Sequence, residues 1–313
     1  MCKTARIFRI DRLNNHNGPG YRTVVYFKGC SLTCQWCHNP EGMQTRKEVW
    51  LFPAKCIRCG DCVQNCPSEA LSLTSGSLTI DRSKCTGCYT CANVCPAKAI
   101  EKIGEDYTVD EIFEKIKQDQ IYFETSGGGV TVTGGEPGLY AGFVSELFQK
   151  CREEGIHTAF DTSGSISEKA LEIIVPYTDT VFLDFKIWDS EDSMSYTSLN
   201  PEKVKEALQW IKKFRQNHEL PTLQVRTPLI PGATDSNENL MVICTFISGE
   251  YGDLVELWEL CMFNDLCEDK YKKLDKPWAF KGKNHTKDDY KNFTDLKSLL
   301  PDLKIEITGF YEK

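Results

Sequence analysis

Short runs of β-branched and aromatic residues alternate along the chain with longer stretches whose apolar positions recur at helical spacing. The short runs predict six strands, at residues 23–28, 130–133, 157–160, 181–185, 223–227 and 254–260. The longer stretches predict amphipathic helices near residues 109–118, 142–153, 167–175, 202–215 and 238–248. Thr108 and Glu111 form a capping-box pattern at the start of the first helix. This alternation is typical of βαβ units around a parallel sheet and predicts an α/β fold.

Residues 48–104 interrupt the alternation and predict a separate module. They contain short strand-like pieces near residues 70–73 and 78–81 and few long amphipathic stretches. The chain is therefore expected to divide into three parts, residues 1–47, 48–104 and 105–313. Near the C-terminus the pattern predicts a further helix at residues 289–300 and a strand at residues 304–308.

The charge pattern excludes some classes of partner. The 313 residues carry a formal charge of −8 at pH 7 and show no basic stripe, which argues against nucleic acid as the main partner. The lysine clusters at residues 270–273 and 281–283 are interpreted as solvated faces, or as contacts for an acidic patch on a partner protein. No apolar run is long enough to suggest a membrane span, and the first residues do not resemble a secretory signal. We therefore expect a cytoplasmic protein.

Three closely spaced cysteines follow the first predicted strand. Cys30, Cys34 and Cys37 have CxxxCxxC spacing and offer three thiolates, whereas a 4Fe-4S cluster has four irons to ligate. One iron would remain open, and chemistry can occur there. The alternative is a structural zinc site, but such sites usually close on four ligands arranged as CxxC-type pairs.

A second cysteine pattern fills the interrupting module. The bacterial ferredoxin run Cx2Cx2Cx3CP occurs twice, and in such pairs the fourth cysteine of each run ligates the other cluster. One cluster is expected on Cys56, Cys59, Cys62 and Cys95, and the other on Cys66, Cys85, Cys88 and Cys91. A disulfide scaffold or a zinc module fits this repeated spacing less well. The five remaining cysteines are interpreted as ordinary thiols: Cys2, Cys151, Cys244, Cys261 and Cys267.

The cysteine triad, with the aromatic Trp36 before its last member, resembles the signature of the radical S-adenosylmethionine (SAM) superfamily. Within it, the chain is most similar to the activating enzymes of glycyl radical enzymes. The motifs that carry this resemblance are NGPGYRT at 17–23, HNP at 38–40, GGEP at 134–137, DTSG at 161–164, DFK at 184–186 and PG at 231–232. The resemblance implies a partial (β/α)6 barrel, open on one side, with a ferredoxin-like domain inserted after its first loop.

The resemblance also implies an activity. SAM would bind the open iron and be cleaved reductively to a 5'-deoxyadenosyl radical, which abstracts a hydrogen from a glycine of a partner glycyl radical enzyme. Three 4Fe-4S clusters are expected, with a flavodoxin or ferredoxin as electron donor. The alternatives are a radical SAM enzyme that acts on another peptide or a small molecule, and an electron-transfer ferredoxin fused to an inert barrel. The intact open-iron triad argues against the last.

Several SAM contacts follow from the resemblance, motif by motif. Gly134, Gly135 and Glu136 are expected around the SAM amino group. Asp161 and Thr162 are expected to help hold a monovalent cation near the SAM carboxylate. Asp184 and Lys186 end the next strand, where a lysine suits a carboxylate and an aspartate suits a ribose or a cation. The alternatives are a plain glycine-rich turn, a solvated aspartate and a salt-bridged lysine.

The remaining expected contacts include two departures from the family pattern. Trp36 is expected against the adenine, or else merely packs near the cluster, and His38 lies in the same loop. Arg226 is expected to face the ligand or to pair with a carboxylate at the barrel mouth. Asn264 stands in the region where relatives often carry a histidine, and Asn17 replaces an aspartate that is frequent in the family. These departures bear on the choice of substrate.

Overall fold

The computed structural model describes residues 4–298 and 303–309, with side chains omitted for 295–298. Cys2 and the end of the helix predicted at 289–300 lie outside the described residues. The strands are β1 (Thr4–Asn14), β2 (Arg22–Phe27), β3 (Glu48–Leu51), β4 (Leu71–Thr74), β5 (Ser77–Ile80), β6 (Ile100–Ile103), β7 (Glu105–Thr108), β8 (Gly129–Gly134), β9 (His157–Thr162), β10 (Thr180–Asp184), β11 (Thr222–Leu229), β12 (Val255–Met262) and β13 (Ile305–Thr308). The helices are α1 (Asp61–Gln64), α2 (Thr90–Val94), α3 (Val109–Lys117), α4 (Gln120–Ser126), α5 (Ala141–Glu153), α6 (Glu168–Ile174), α7 (Ser190–Thr197), α8 (Glu202–Arg215), α9 (Asn237–Tyr251), α10 (Glu268–Lys273) and α11 (Lys287–Ser298).

One large sheet forms the framework of the molecule. Its strand order is β13-β12-β11-β10-β9-β8-β2-β1-β7, and the strands from β2 to β13 pair in parallel. Strands β1 and β7 extend the β2 edge in antiparallel pairing. The predicted partial (β/α)6 barrel is therefore confirmed, with β2 and β8 to β12 as its six strands. Strand β13, predicted at residues 304–308 but not assigned to a place in the sheet, pairs with β12.

The two antiparallel strands were not predicted, and their burial explains why. In β1 only Ala5 and Ile7 are fully buried, and the outer part of the strand is half-exposed, so no apolar run marks it. Strand β7 contains no fully buried residue. Helices α4 and α7 were missed for a related reason, since each buries only one or two side chains.

The helices that cover the sheet were found because they bury regular apolar faces. Helix α3 buries Val109, Ile112, Phe113 and Ile116 against α5 and the sheet, at the spacing of one helical face. The predicted capping box is confirmed: Thr108 Oγ1 accepts from the Glu111 N–H, and Glu111 Oε2 accepts from the Thr108 N–H at 2.8 Å.

The inserted module lies between β2 and α3 in the chain. Strand β3 begins at Glu48, strand β6 ends at Ile103, and the two pair in antiparallel, so the entry and exit of the module lie side by side. Within it, β4 and β5 form a hairpin over the two pieces that the sequence predicted as strand-like. Two short helices, α1 and α2, contact each other, and each contains the third cysteine of one run.

A buried ion pair joins the module to the barrel. Lys28 follows β2 and has no exposed surface, and its Nζ donates to Glu48 Oε2 at 2.6 Å and to Glu41 O at 2.6 Å. Burial lowers the pKa of Lys28, while Glu48 acts in the opposite direction. Because an unpaired buried charge is costly, this pair fixes the entry of the module next to the first loop of the barrel.

Candidate active site

The carboxyl ends of the parallel strands surround a cavity of about 350 Å³. Parallel strands bring their carboxyl ends to one edge, which is why loops from separate parts of the chain meet there. Most residues expected to hold a cluster or SAM line this cavity: Cys30, Cys34, Trp36, Cys37, His38, Gly134, Gly135, Asp161, Thr162, Asp184, Lys186 and Asn264. Glu136 and Arg226 are not among its lining residues.

The cysteine loop, residues 28–43, is held by main-chain hydrogen bonds on both sides. The Cys30 N–H donates to Met43 O at 2.9 Å, which closes the loop on itself. The Thr33 N–H donates to Thr197 O at 2.9 Å, so the end of α7 supports the middle of the loop. Helix α7 thus positions the cysteines, although the sequence pattern did not predict it.

The three thiols are held apart from bulk water, which affects their ionisation. Burial raises the pKa of Cys30 to about 12 and also raises the pKa values of Cys34 and Cys37. Only thiolates ligate iron, so each thiol must release its proton when a cluster is assembled. Lys186 lies beside them: burial opposes its charge, but Asp184 and the thiols raise its pKa overall. The loop therefore offers three ligands next to a permanent cation.

The glycine pair of the GGEP motif packs directly on the cysteine loop. A Cβ atom at Gly135 would lie 2.1 Å from Gly29 O, and one at Gly134 would lie 2.5 Å from Phe27 N. Gly134 also has φ of +117°, which disfavours any side chain. The Glu136 N–H donates to Gly29 O at 2.7 Å. The glycines are thus required by this close approach, and they leave main-chain carbonyls at the cavity wall.

The expectation that the Glu136 side chain accepts from an ammonium in the cavity needs correction. Glu136 is fully buried, and its carboxylate already accepts from Thr162 Oγ1 at 2.9 Å, from Ser163 N–H and Oγ at 3.0 and 2.7 Å, and from Gly138 N–H at 3.1 Å. These donors satisfy both oxygens. The side chain therefore ties the glycine loop to the end of β9 and is not among the residues that line the cavity.

Two carboxylates and a lysine face the cavity from β9 and β10. Thr133 Oγ1 donates to Asp161 Oδ2 at 2.8 Å, and Lys186 Nζ donates to Asp184 Oδ2 at 2.6 Å. Burial raises the pKa of Asp161 to about 6, and Arg226 opposes this shift. At neutral pH Asp161 can therefore carry charge, and Asp184 lies near enough to add to the upward shift of its pKa. Together with the Thr162 hydroxyl they form an oxygen-rich wall of the kind that suits a cation or ribose hydroxyls.

Arg226 pairs with carboxylates inside the barrel. It is buried on β11, where its Nε lies 2.7 Å from Glu259 Oε2 and its NH1 lies 3.5 Å from Asp161 Oδ2. Its guanidinium carbon lies 3.7 Å from the centre of the Phe182 ring. Of the two roles considered from the sequence, the structure shows pairing with carboxylates. Arg226 consequently supports Asp161 from inside the barrel.

Aromatic side chains close one side of the cavity. Trp36 is only 4 % exposed, and its ring lies 5.9 Å from Tyr196 and 6.1 Å from Phe280 between ring centres. It therefore both packs in an apolar cluster and lines the cavity. His38 lies 5.4 Å from the Phe263 ring, and burial, followed by Lys270, lowers its pKa. His38 is accordingly neutral at pH 7.

The two departures from the family pattern lie at opposite ends of the barrel. Asn264 lines the cavity, and its Oδ1 accepts from the Leu266 N–H at 3.2 Å, so it shapes the loop after β12. Asn17 precedes β2 and lies at the amino ends of the strands. Its main-chain oxygen accepts from Thr131 Oγ1 at 2.7 Å, and its Nδ2 donates to Asn14 Oδ1 at 3.0 Å. Only the change at Asn264 adjoins the cavity.

Helix α10 supports the cysteine loop from the far end of the chain. Lys270, assigned from the sequence to a solvated face, points inward. Its Nζ donates to His38 O at 2.8 Å, Asn39 Oδ1 at 3.1 Å and Glu41 Oε1 at 2.7 Å. The Tyr271 hydroxyl donates to Cys37 O at 2.9 Å. More than 200 residues separate these partners in sequence, so no local sequence pattern predicts the contact.

We expect Lys270→Met to loosen the cysteine loop. The substitution keeps a long helix-forming side chain but removes the ammonium that Glu41, which is 4 % exposed, relies on. Iron bound by the reconstituted enzyme should fall by up to one cluster, and SAM cleavage should fall with it. Lys272→Met is the matched control, because Lys272 is exposed and, in the part of the chain that the structure describes, its ion pair is with Glu268 alone. Wild-type iron content and SAM cleavage in Lys270→Met would contradict this role.

Two further cavities in the inserted module are each walled by four cysteines. The first cysteine set comprises Cys56, Cys59, Cys62 and Cys95, and the second comprises Cys66, Cys85, Cys88 and Cys91. These are the groups expected from the ferredoxin spacing. The Ala99 N–H donates to Cys95 Sγ at 3.2 Å and the Ala70 N–H to Cys66 Sγ at 3.3 Å, so the fourth cysteine of each run has the same environment.

Each cysteine set lines a cavity and does not converge on the position of a single metal ion. Among the described residues, no group of three or more His, Cys, Asp or Glu side chains is arranged to hold one metal ion. A zinc site would require four ligands at about 2.2 Å from one centre. In a 4Fe-4S cluster each thiolate instead binds a different iron of the cube, so the cysteine sulfurs surround a larger space. The walls of the cavities, with four cysteines each in the module and three in the active site, therefore fit clusters.

Comparison with known proteins agrees with these motifs. A family model described as the radical SAM superfamily matches residues 82–242, and one described as a 4Fe-4S dicluster domain matches residues 55–99. The chain is 39% identical to the (2S)-3-sulfopropanediol dehydratase activating enzyme of Klebsiella oxytoca, over 88% of this chain and 87% of that one. It is 34% identical to the choline trimethylamine-lyase activating enzyme of Oleidesulfovibrio alaskensis, over 78% of each chain.

A solved structure shows the same fold. The crystal structure of Streptococcus suis SuiB bound to the precursor peptide SuiA matches with a TM-score of 0.53 at 14% identity, over 94% of this chain. The match spans 50% of the SuiB chain and concerns the fold alone. A search of the described residues for a helix long and apolar enough to cross a membrane found none.

Proposed function

Because the chain belongs to the activating enzymes of glycyl radical enzymes, within the radical SAM superfamily, we propose that Cys30, Cys34 and Cys37 hold a 4Fe-4S cluster whose fourth iron binds SAM. The enzyme cleaves SAM reductively and abstracts a hydrogen from a glycine of a partner glycyl radical enzyme. The observation that carries the site assignment is the single cavity that gathers the three cysteines with the ends of β8, β9 and β10.

Cys30, Cys34 and Cys37 would hold the cluster, which when bound and reduced would supply the one electron that splits SAM into methionine and a 5'-deoxyadenosyl radical; this radical would become 5'-deoxyadenosine on taking the glycine hydrogen. The protein orients SAM and excludes water. The Gly134 and Gly135 carbonyls accept from the SAM ammonium, and Lys186 faces its carboxylate. Trp36 supplies an apolar face for the adenine.

A monovalent cation is proposed beside the SAM carboxylate. Asp161 and Thr162 lie next to each other at the end of β9, and Asp184 faces them from β10. Thr162 donates its hydroxyl hydrogen to Glu136, so the lone pairs of the hydroxyl oxygen remain to coordinate a cation. Glu136 thereby orients Thr162 without touching the ligand.

The inserted module is proposed to hold two further 4Fe-4S clusters, one on each cysteine set. Every iron in them would be ligated by cysteine, so these clusters offer no open site and serve to carry electrons to the active site. A flavodoxin or ferredoxin is the proposed donor. Eleven cysteines that must remain thiolates require a reducing environment, and we place the enzyme in the cytoplasm.

Transfer of deuterium tests the proposed reaction directly. The glycyl radical enzyme encoded nearest to this chain would be produced with deuterated glycine and mixed anaerobically with the reconstituted enzyme, SAM and a reductant. We expect deuterium in 5'-deoxyadenosine and a glycyl radical in the electron paramagnetic resonance spectrum of the partner. Cleavage of SAM with unlabelled 5'-deoxyadenosine and no radical on that partner would contradict the pairing.

A further inference from the structure

The two cysteine runs of the inserted module repeat in sequence but differ in what surrounds them. Arg58 and Gly87 occupy equivalent positions, directly before the second cysteine of each run, with φ of 62° and 68°. Gly87 is buried, and a Cβ atom there would lie 2.3 Å from Lys47 O. Arg58 is exposed. One run thus packs tightly against the chain that leads from the barrel, whereas the other faces solvent.

The second cysteine set lies on the side of the active-site loop. The hydroxyl of Tyr89, which follows Cys88, donates to Ile103 O at 2.7 Å and to Gly104 O. A Cβ atom at Gly104 would lie 2.6 Å from Lys28 Cδ, so this turn packs against the residue two positions before Cys30. Short packed connections therefore join the second set to the cysteine loop.

The first cysteine set instead reaches an exposed surface of mixed character, here called the docking face. It consists of Ile57, Arg58 and Leu73, which line the cavity of the first set, and of Lys55, which directly precedes Cys56. Ile57 is 65 % exposed and Leu73 is 38 % exposed, which is unusual for large apolar side chains. Cys59 and its counterpart Cys88 in the second set are both exposed, so the apolar side chains distinguish this face.

The charges around the docking face favour an acidic partner. Lys55 pairs with Glu101 at 2.9 Å, while Arg58 forms no ion pair within 4.0 Å among the described residues. The chain as a whole has a formal charge of −8, so an acidic protein is repelled by most of its surface. A local group of cations around an apolar centre then selects this face and its orientation.

We infer that the docking face binds an acidic one-electron carrier protein, so that electrons enter the module at the first cysteine set and leave it at the second. The inference rests on the proposed function, which requires clusters at both sets. In the transfer the reduced carrier loses one electron and the metal group at the first set gains it. The direction follows from the two environments: solvent and an apolar face at one set, the active-site loop at the other.

Ile57→Glu tests the inference, because it places a charge of the wrong sign at the apolar centre. The measurements are the affinity of the reconstituted enzyme for purified flavodoxin and the rate at which flavodoxin hydroquinone reduces its clusters, followed by absorbance in a stopped flow. We expect affinity and rate to fall about tenfold or more, which corresponds to about 1.4 kcal/mol in binding. Arg58→Glu should also lower the rate and flatten its dependence on salt.

Ile121→Glu on α4 is the matched control, since Ile121 is 66 % exposed and lies on the barrel. Iron content and reduction by dithionite should be the same in all variants, which shows that the clusters are intact. Equal rates with flavodoxin for Ile57→Glu, Ile121→Glu and the wild type would overturn the docking face while leaving the clusters in place. Failure of dithionite to reduce any cluster in the wild type would instead overturn the proposed function.

Discussion

Replacing Cys34 by alanine is expected to abolish SAM cleavage while the clusters of the inserted module remain. Cys34 lines the active-site cavity and lies in the same electrostatic environment as Lys186 and Asp184. Without it two thiolates remain in a loop where a cluster needs three. Iron in the reconstituted enzyme should fall from about twelve to about eight atoms per chain, since each cluster contains four.

Cys244→Ala controls for the loss of a buried thiol. Cys244 lies on α9 in the hydrophobic core, far along the chain from the cysteine motifs, and burial raises its pKa to about 11. This variant should keep about twelve iron atoms and full SAM cleavage. The wild type itself carries a prediction: a reproducible plateau near eight atoms would show that one of the three sites is not a cluster. SAM cleavage by Cys34→Ala would contradict the assignment of the open iron.

The sequence was sufficient for the fold because most positions of the six barrel strands are buried. Strand β2, for example, is buried at every position, and such runs are visible without a structure. Cysteine spacing was equally informative, because cluster ligation imposes fixed separations along the chain. The sequence could not reveal β1 and β7, whose faces are only partly buried.

The direction of individual side chains was the least predictable part of the site. Glu136 stands in a motif with ligand-binding glycines, but the donors that turn it inward come from Ser163 and Thr162 on the next strand. Lys270 was interpreted as a solvated lysine because its neighbours are charged, whereas its acceptors belong to the cysteine loop. Both errors have one cause, because the partners of Glu136 and Lys270 are distant in sequence. They come together only when the parallel sheet forms and α10 packs on the cysteine loop.

Removal of a cluster ligand from the module is expected to separate electron relay from structural support. In Cys59→Ala the first cysteine set loses an exposed ligand, and in Cys88→Ala the second set loses one. A relay predicts that SAM cleavage driven by flavodoxin falls close to background in both variants. Cleavage driven by dithionite should persist, because a small reductant reaches the active-site cavity without passing through the module.

A scaffold role predicts a different pattern, because metal binding contributes folding free energy to small cluster domains. The module is joined to the barrel through the Lys28–Glu48 pair and through Gly87 against Lys47, so its unfolding would disturb the cysteine loop. SAM cleavage should then fall with flavodoxin and dithionite alike. Unchanged turnover with flavodoxin would eliminate the relay. A loss of SAM cleavage with flavodoxin but not with dithionite, while the active site keeps about four iron atoms, would establish that the module carries electrons.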